Sequence, residues 1–113
     1  TKFTSTFTPG KEYQGPDGYV HNGIISALLD EIMTMYIYCM DIFAVTARLN
    51  IDFFQSAPID TELHLKGWIT KKRGKLIELA GTIALPDGTI AAKGKAVVMV
   101  VKGGLEDFEE SSV

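Results

Sequence analysis

His21-Asn22-Gly23-Ile24-Ile25-Ser26-Ala27-Leu28-Leu29-Asp30-Glu31 opens the most apolar stretch of the chain, which continues to Phe43. From Ile24 onward nearly every side chain is apolar, yet two adjacent carboxylates, Asp30 and Glu31, interrupt the run near its middle. Burying an ionised carboxylate without partners is costly. The pattern therefore predicts that at least one of the two acids does chemistry at a buried site, as a base or a nucleophile. Asn22 is a good N-cap residue just ahead of the run, so a helix is expected over 23–40, ending near Asp41. A membrane span needs about 20 apolar residues, and this stretch has that length. Asp30, Glu31 and Asp41 argue against a span, and the chain offers no second one. A helix buried by sheet on nearly all sides explains the same composition.

Outward from the helix the periodicity changes. Residues 3–8 alternate phenylalanine with polar residues and read as a short strand, broken by Pro9-Gly10. Residues 11–20 are loop-like, with Gly15-Pro16-Asp17-Gly18 as turn chemistry. Residues 44–54 are rich in β-branched and aromatic residues. Residues 61–70 place Leu63, Leu65 and Ile69 on one face and Glu62, His64 and Lys66 on the other. Lys71-Lys72-Arg73-Gly74 reads as a turn, 75–85 as a strand, Pro86-Asp87-Gly88 as a hairpin turn, and 89–101 as a last strand. Short links imply an antiparallel meander. The expected class is α+β, a long central helix wrapped by a curved antiparallel sheet of about five strands. One domain spans 1–113, with an acidic tail over 103–113.

At 113 residues the chain supports one core. A net charge of −3 gives no global support to nucleic-acid binding. The single cysteine, Cys39, cannot form an intrachain disulfide and fits a reducing, cytoplasmic setting. It is expected to be a small buried hydrophobe. The chain opens on Thr1 rather than Met, which leaves room for residues upstream, and no signal peptide is visible in what is given. His21 and His64, far apart and without cysteine partners, give no metal-site signal.

Ser5-Thr6-Phe7-Thr8-Pro9-Gly10-Lys11-Glu12-Tyr13-Gln14-Gly15, followed by Gly18-Tyr19-Val20-His21-Asn22-Gly23 and Leu28-Leu29-Asp30-Glu31, resembles the phenylacetate-pathway (PaaI-like) branch of the hotdog acyl-CoA thioesterases. That branch carries a V-H-G-G-x-x-x-x-L-L-D-E pattern. Ala47-Arg48-Leu49-Asn50-Ile51-Asp52-Phe53-Phe54 and Pro58 are similar to its next strand and proline exit. The departure is Asn22, where the family has the first glycine of H-G-G. The resemblance implies a hotdog fold and hydrolysis of a thioester to a free acid and CoA. It implies Asp30 as general base or nucleophile, and a backbone N–H at Asn22 or Gly23 as the oxyanion donor. Thr46 falls where the family has a hydroxyl near the acid, suited to orienting water. Glu31 is expected to be structural at a subunit contact. His21 is expected to bond the loop beside the substrate. Lys72, Arg73, Gly74 and Lys75 are expected to meet the nucleotide end of CoA, whose phosphates suit Lys and Arg.

The implied partner is an acyl-CoA substrate, with CoA only as part of that substrate and no other cofactor or metal. No nucleic acid and no membrane are expected. A homodimer or homotetramer (a dimer of dimers) is expected, with the cap from one chain facing the acid of the other. Tyr36, Tyr38, Phe43, Phe53, Phe54 and Met33 suit an aromatic or a fatty acyl pocket equally. Three rivals share parts of the pattern. They are a hotdog acyl-thioester dehydratase, a thioesterase branch with a D-x-x-G-H-V-N-N loop in which Asp17 is the acid, and a non-catalytic acyl-CoA-binding module.

Overall fold

A computed structural model describes residues 2–103. Strand β1 (Phe3–Phe7) and a 3-10 turn (Lys11–Tyr13) precede helix α1 (Asn22–Tyr38). Strands β2 (Ile42–Phe53), β3 (Leu63–Arg73), β4 (Leu76–Ala84) and β5 (Ile90–Gly103) follow. The five strands form one antiparallel sheet in the order β1-β3-β4-β5-β2. Strands β3, β4 and β5 are the expected meander, while β2 lies at the far edge beside β5. With one long helix laid across the sheet, this is the hotdog arrangement.

The helix lies close because the sheet is hollowed beneath it. Gly67, Gly81 and Gly94 stand opposite one another on β3, β4 and β5. A Cβ on Gly67 would come within 2.7 Å of the Ile32 carbonyl oxygen. One on Gly81 would meet Met33 Cγ at 3.0 Å, and one on Gly94 would meet Met33 Cε at 3.2 Å. The three glycines thus form a trough that receives one turn of α1. Leu29, Met33 and Ile37 are fully buried along that line, against Leu63, Ile77 and Val98. Truncating such a core side chain to alanine costs about 2–5 kcal/mol.

The burial of α1 differs from the expectation of sheet on nearly all sides. Only Ile25, Leu29, Ile32, Met33 and Ile37 are buried, a stripe at helical spacing. Ile24, Leu28 and Met35 are half-buried, and Ala27 and Glu31 are exposed. Met33, expected as a pocket residue, is core. The helix ends at Tyr38, two residues short of the expected end, and Asp41 takes a positive φ of 59° before β2 begins. Cys39 is therefore a helix C-cap and exposed rather than buried. No helix of the described residues is long and apolar enough to cross a membrane.

Two strand limits also move. Lys71, Lys72 and Arg73 belong to β3, paired with Glu78, Ile77 and Leu76, so the turn is only Gly74-Lys75. Gly74 has a φ of +60° at the first central position, as a II′ hairpin requires. The charges read as a turn because this end of β3 is exposed throughout. Strand β5 runs to Gly103, and the expected tail beyond it, 104–113, lies outside the described residues.

Candidate active site

The start of α1 is held by a loop that is itself tied down. Gln14 bridges Val20, and Gln14 Oε1 accepts from the Gly18 N–H at 2.9 Å. The Val20 N–H donates to the Ala57 carbonyl, and the His21 N–H to the Tyr13 carbonyl. The N-cap is His21, not Asn22. Its Nδ1 accepts from the Gly23 N–H at 2.8 Å. An accepting Nδ1 leaves the proton of the neutral ring on Nε2. Asn22 is thereby the first residue of the helix.

A helix leaves its first N–H groups without intrahelical partners. Here the Gly23 N–H goes to the His21 ring, and those of Ile24 and Ile25 both go to the His21 carbonyl. Among the described residues the Asn22 N–H alone of these four has no acceptor. Gly23, expected as an alternative donor, has its N–H engaged. The Asn22 N–H stands exposed at the positive end of the helix dipole.

Asp30 lies eight residues further, about 12 Å along the axis, on the flank of α1 that faces β2. The Thr46 hydroxyl donates to its Oδ1 at 3.3 Å. Strand β2 aims Thr46 at the helix by means of a bulge. The register with β5 shifts between Thr46 and Arg48, leaving Ala47 as the extra residue. Bulges of this kind redirect side chains. One turn beyond Asp30, the Thr34 hydroxyl donates to the Asp30 carbonyl at 2.8 Å. Toward the C-terminal end of α1 a cleft of about 320 Å³ opens, lined by Glu31, Thr34, Met35, Tyr38, Ile42 and Ala44.

Neither acid is buried within one protomer, contrary to the first expectation. Asp30 is half-buried and Glu31 exposed. The side-chain partner of Asp30 is Thr46 rather than a Lys or Arg; His64 Nε2 pairs with Glu62 at 3.5 Å. Asp17 is exposed at the loop turn rather than on α1. Of the expected pocket aromatics, Tyr38, Phe43, Phe53 and Phe54 are strongly exposed, and Tyr36 stacks on Phe3 with centroids 6.2 Å apart.

Strand β2 is an edge. It pairs only with β5, yet it carries Phe43, Val45, Leu49 and Phe53 exposed. A long apolar edge is a template for another strand. Arg73, Gly74 and Lys75 sit at the exposed tip of the β3–β4 hairpin, with Lys72 just before them. The Lys75 carbonyl accepts from the Val100 N–H at 2.8 Å. The histidine cap and the glycine trough were not anticipated from the sequence. The first had a signal, since an imidazole nitrogen two residues before an N–H is placed to cap as an Asx side chain does. The second emerges only from strand register.

Comparison with known proteins agrees with the fold. The thioesterase superfamily model matches residues 17–92. A Saccharomyces cerevisiae protein named MIOREX complex component 3 is 34% identical over 85 residues, 71% of this chain and 30% of that protein. The human protein named acyl-coenzyme A thioesterase THEM5 is 32% identical over 60 residues, 53% of this chain and 24% of that protein. The chain thus spans less than a third of the length of these two relatives. The BH2602 protein of Bacillus halodurans, crystallised with CoA, superposes with a TM-score of 0.80 at 25% identity, over 88% of this chain and 67% of that one. With the family model matching well over half of its length, the chain belongs to the thioesterase superfamily.

Proposed function

We propose that this protein hydrolyses acyl-CoA thioesters at a site shared between two protomers. The observation that carries the reading is a separation. The unpaired Asn22 N–H and the Asp30–Thr46 pair lie about 12 Å apart along one helix, too far to act on one ester. Two α1 helices running antiparallel across a two-fold axis bring the cap of one protomer to the acid of its partner. Pairing of the two β2 edges supplies that axis and covers the apolar edge. A dimer of such dimers is the larger assembly expected.

In this reading the thioester carbonyl oxygen accepts from the Asn22 N–H, whose dipole favours the charge that develops on it. Asp30 of the other protomer takes a proton from water, the hydroxide oxygen bonds to the carbonyl carbon, and the C–S bond breaks to release CoA thiolate. Thr46 holds the Asp30 carboxylate in place. If Asp30 attacks directly, an acyl-enzyme anhydride forms and water then cleaves it. Lys72, Arg73 and Lys75 take the phosphates of CoA at the hairpin tip. Support comes from the names of the human thioesterase and of the CoA-bound bacterial structure, and from the phenylacetate-branch pattern around His21 and Asp30. An exposed Cys39 suits a reducing, cytoplasmic setting.

The test is colorimetric thiol release over a panel of acyl-CoA substrates. Wild type is expected to turn over, and Asp30→Asn to lose on the order of 10²–10⁴ in kcat. Full activity in Asp30→Asn removes the assignment.

A further inference from the structure

The side of α1 away from Asp30 carries a second concavity. A groove of about 510 Å³ runs between α1 and β1, within the roughly 300–1,000 Å³ range of small-molecule sites. Its floor is Ile32 and Leu65, both buried. Two of its lining residues are small: Ser5, between Phe3 and Phe7 on β1, and Ala27 on α1. Aromatic pairs flank it. Phe7 meets Tyr13 edge-on at 5.7 Å near the cap, and Phe3 stacks on Tyr36 at the far end.

The groove is continuous with the helix N-terminus. Ile24 lines it two residues after Asn22, and Tyr13, which also lines it, accepts the His21 N–H through its carbonyl. From Ile24 to Met35 the helix rises about 16 Å. An extended chain advances roughly 1.2 Å per bond, since three backbone bonds span about 3.5 Å. The groove therefore matches a chain of about twelve to fourteen carbons. Its lining contains one charged group, Glu31, and no cation. That charge disfavours an anionic end lying within the groove.

We propose that the β1–α1 groove is the acyl-chain channel. A linear aliphatic acyl group of about twelve to fourteen carbons lies in it, its carbonyl at the Asn22 N–H and its methyl end toward Phe3 and Met35. This rests on the thioesterase reading and adds the substrate class to it.

The experiment is calorimetric titration with two non-hydrolysable thioethers, S-dodecyl-CoA and S-ethyl-CoA. Wild type is expected to bind the dodecyl compound at least tenfold more tightly. Ser5→Trp and Ala27→Trp, which fill the groove from its two walls, are expected to abolish that advantage and leave S-ethyl-CoA binding unchanged. Ala44→Trp, which fills the cleft between the C-terminal end of α1 and the start of β2, is expected to leave it intact. Equal affinity for the two thioethers in wild type overturns the proposal. So does undiminished dodecyl binding in both groove variants, or loss of the advantage only in Ala44→Trp. A change of oligomeric state in the groove variants with dodecyl affinity unchanged also overturns it, by assigning the groove to a second copy of the chain. Because binding is read without turnover, a protein that binds S-dodecyl-CoA in the groove but releases no thiol contradicts the hydrolysis reading alone.

Discussion

The two flanks of α1 are built from the same helix and do opposite things. Toward β2 the helix presents Asp30, held by the Thr46 hydroxyl beside an unpaired sheet edge. Toward β1 it presents Ile24, Leu28 and Met35 over an apolar floor, with Glu31 as the one charged group of the lining. Between them, the stripe from Ile25 to Ile37 is pressed into the glycine trough. A single apolar run thus divides by angle around its axis into a carboxylate flank, an anchor and a groove. In the proposed two-protomer site the carboxylate flank is incomplete alone, because Asp30 and the Asn22 N–H lie about 12 Å apart along one helix.

Substitutions can break that division. The largest effect is expected at the anchor that both flanks share. Gly67→Ala puts a methyl group 2.7 Å from the Ile32 carbonyl oxygen, where overpacking costs about 1–3 kcal/mol. Thermal denaturation should show a clear fall in Tm, and an unchanged Tm would mean the helix is not seated by the trough. At the cap, His21→Ala removes the acceptor of the Gly23 N–H. A loss of about 0.5–2 kcal/mol is expected in denaturant unfolding, as for other N-caps. On the polar flank, Thr46→Val should lower kcat about tenfold while stability moves by no more than about 0.5 kcal/mol, the range of surface changes. An equal loss of stability and activity would make Thr46 a structural residue instead.

The smallest effect lies away from both flanks. At the β4–β5 turn the Asp87 carboxylate accepts from the Thr89 N–H at 2.9 Å, and this bond holds its pKa below the ordinary 3.8. The ionised form is favoured by folding, so the contribution is present above 3.8 and is lost as pH falls through the lowered value. The Tm difference between wild type and Asp87→Ala should be small at neutral pH and should close in strong acid.

Much of this was legible in the residues. Alternation in 61–70 and 75–85 marked strands, and Pro86-Asp87-Gly88 marked the β4–β5 hairpin. The Asp-Glu pair marked the helix on which the proposed site is built. Its burial was misjudged because composition does not carry angle. An apolar run reads as buried all round, whereas the helix here leaves one side to a groove and another to a sheet edge. The basic stretch at Lys71 read as a turn because charge runs usually mark loops. In the molecule β3 continues past the helix and is exposed on both faces there. Cys39 read as core because the helix was drawn two residues too long. The glycine trough escaped notice because Gly67, Gly81 and Gly94 become neighbours only once three strands are in register.

The most direct test of the shared site is subunit complementation. Asp30→Asn keeps the cap and loses the acid. Asn22→Pro loses the N–H and keeps the acid, and proline suits this first helical position, preceded by an extended His21. Each variant alone is expected to be nearly inactive. Co-refolded in equal amounts, half of the dimers are mixed and each holds one intact site of two, so about a quarter of wild-type kcat should return. A mixture no more active than its parents would place the acid and the oxyanion donor in the same chain and contradict the two-protomer site.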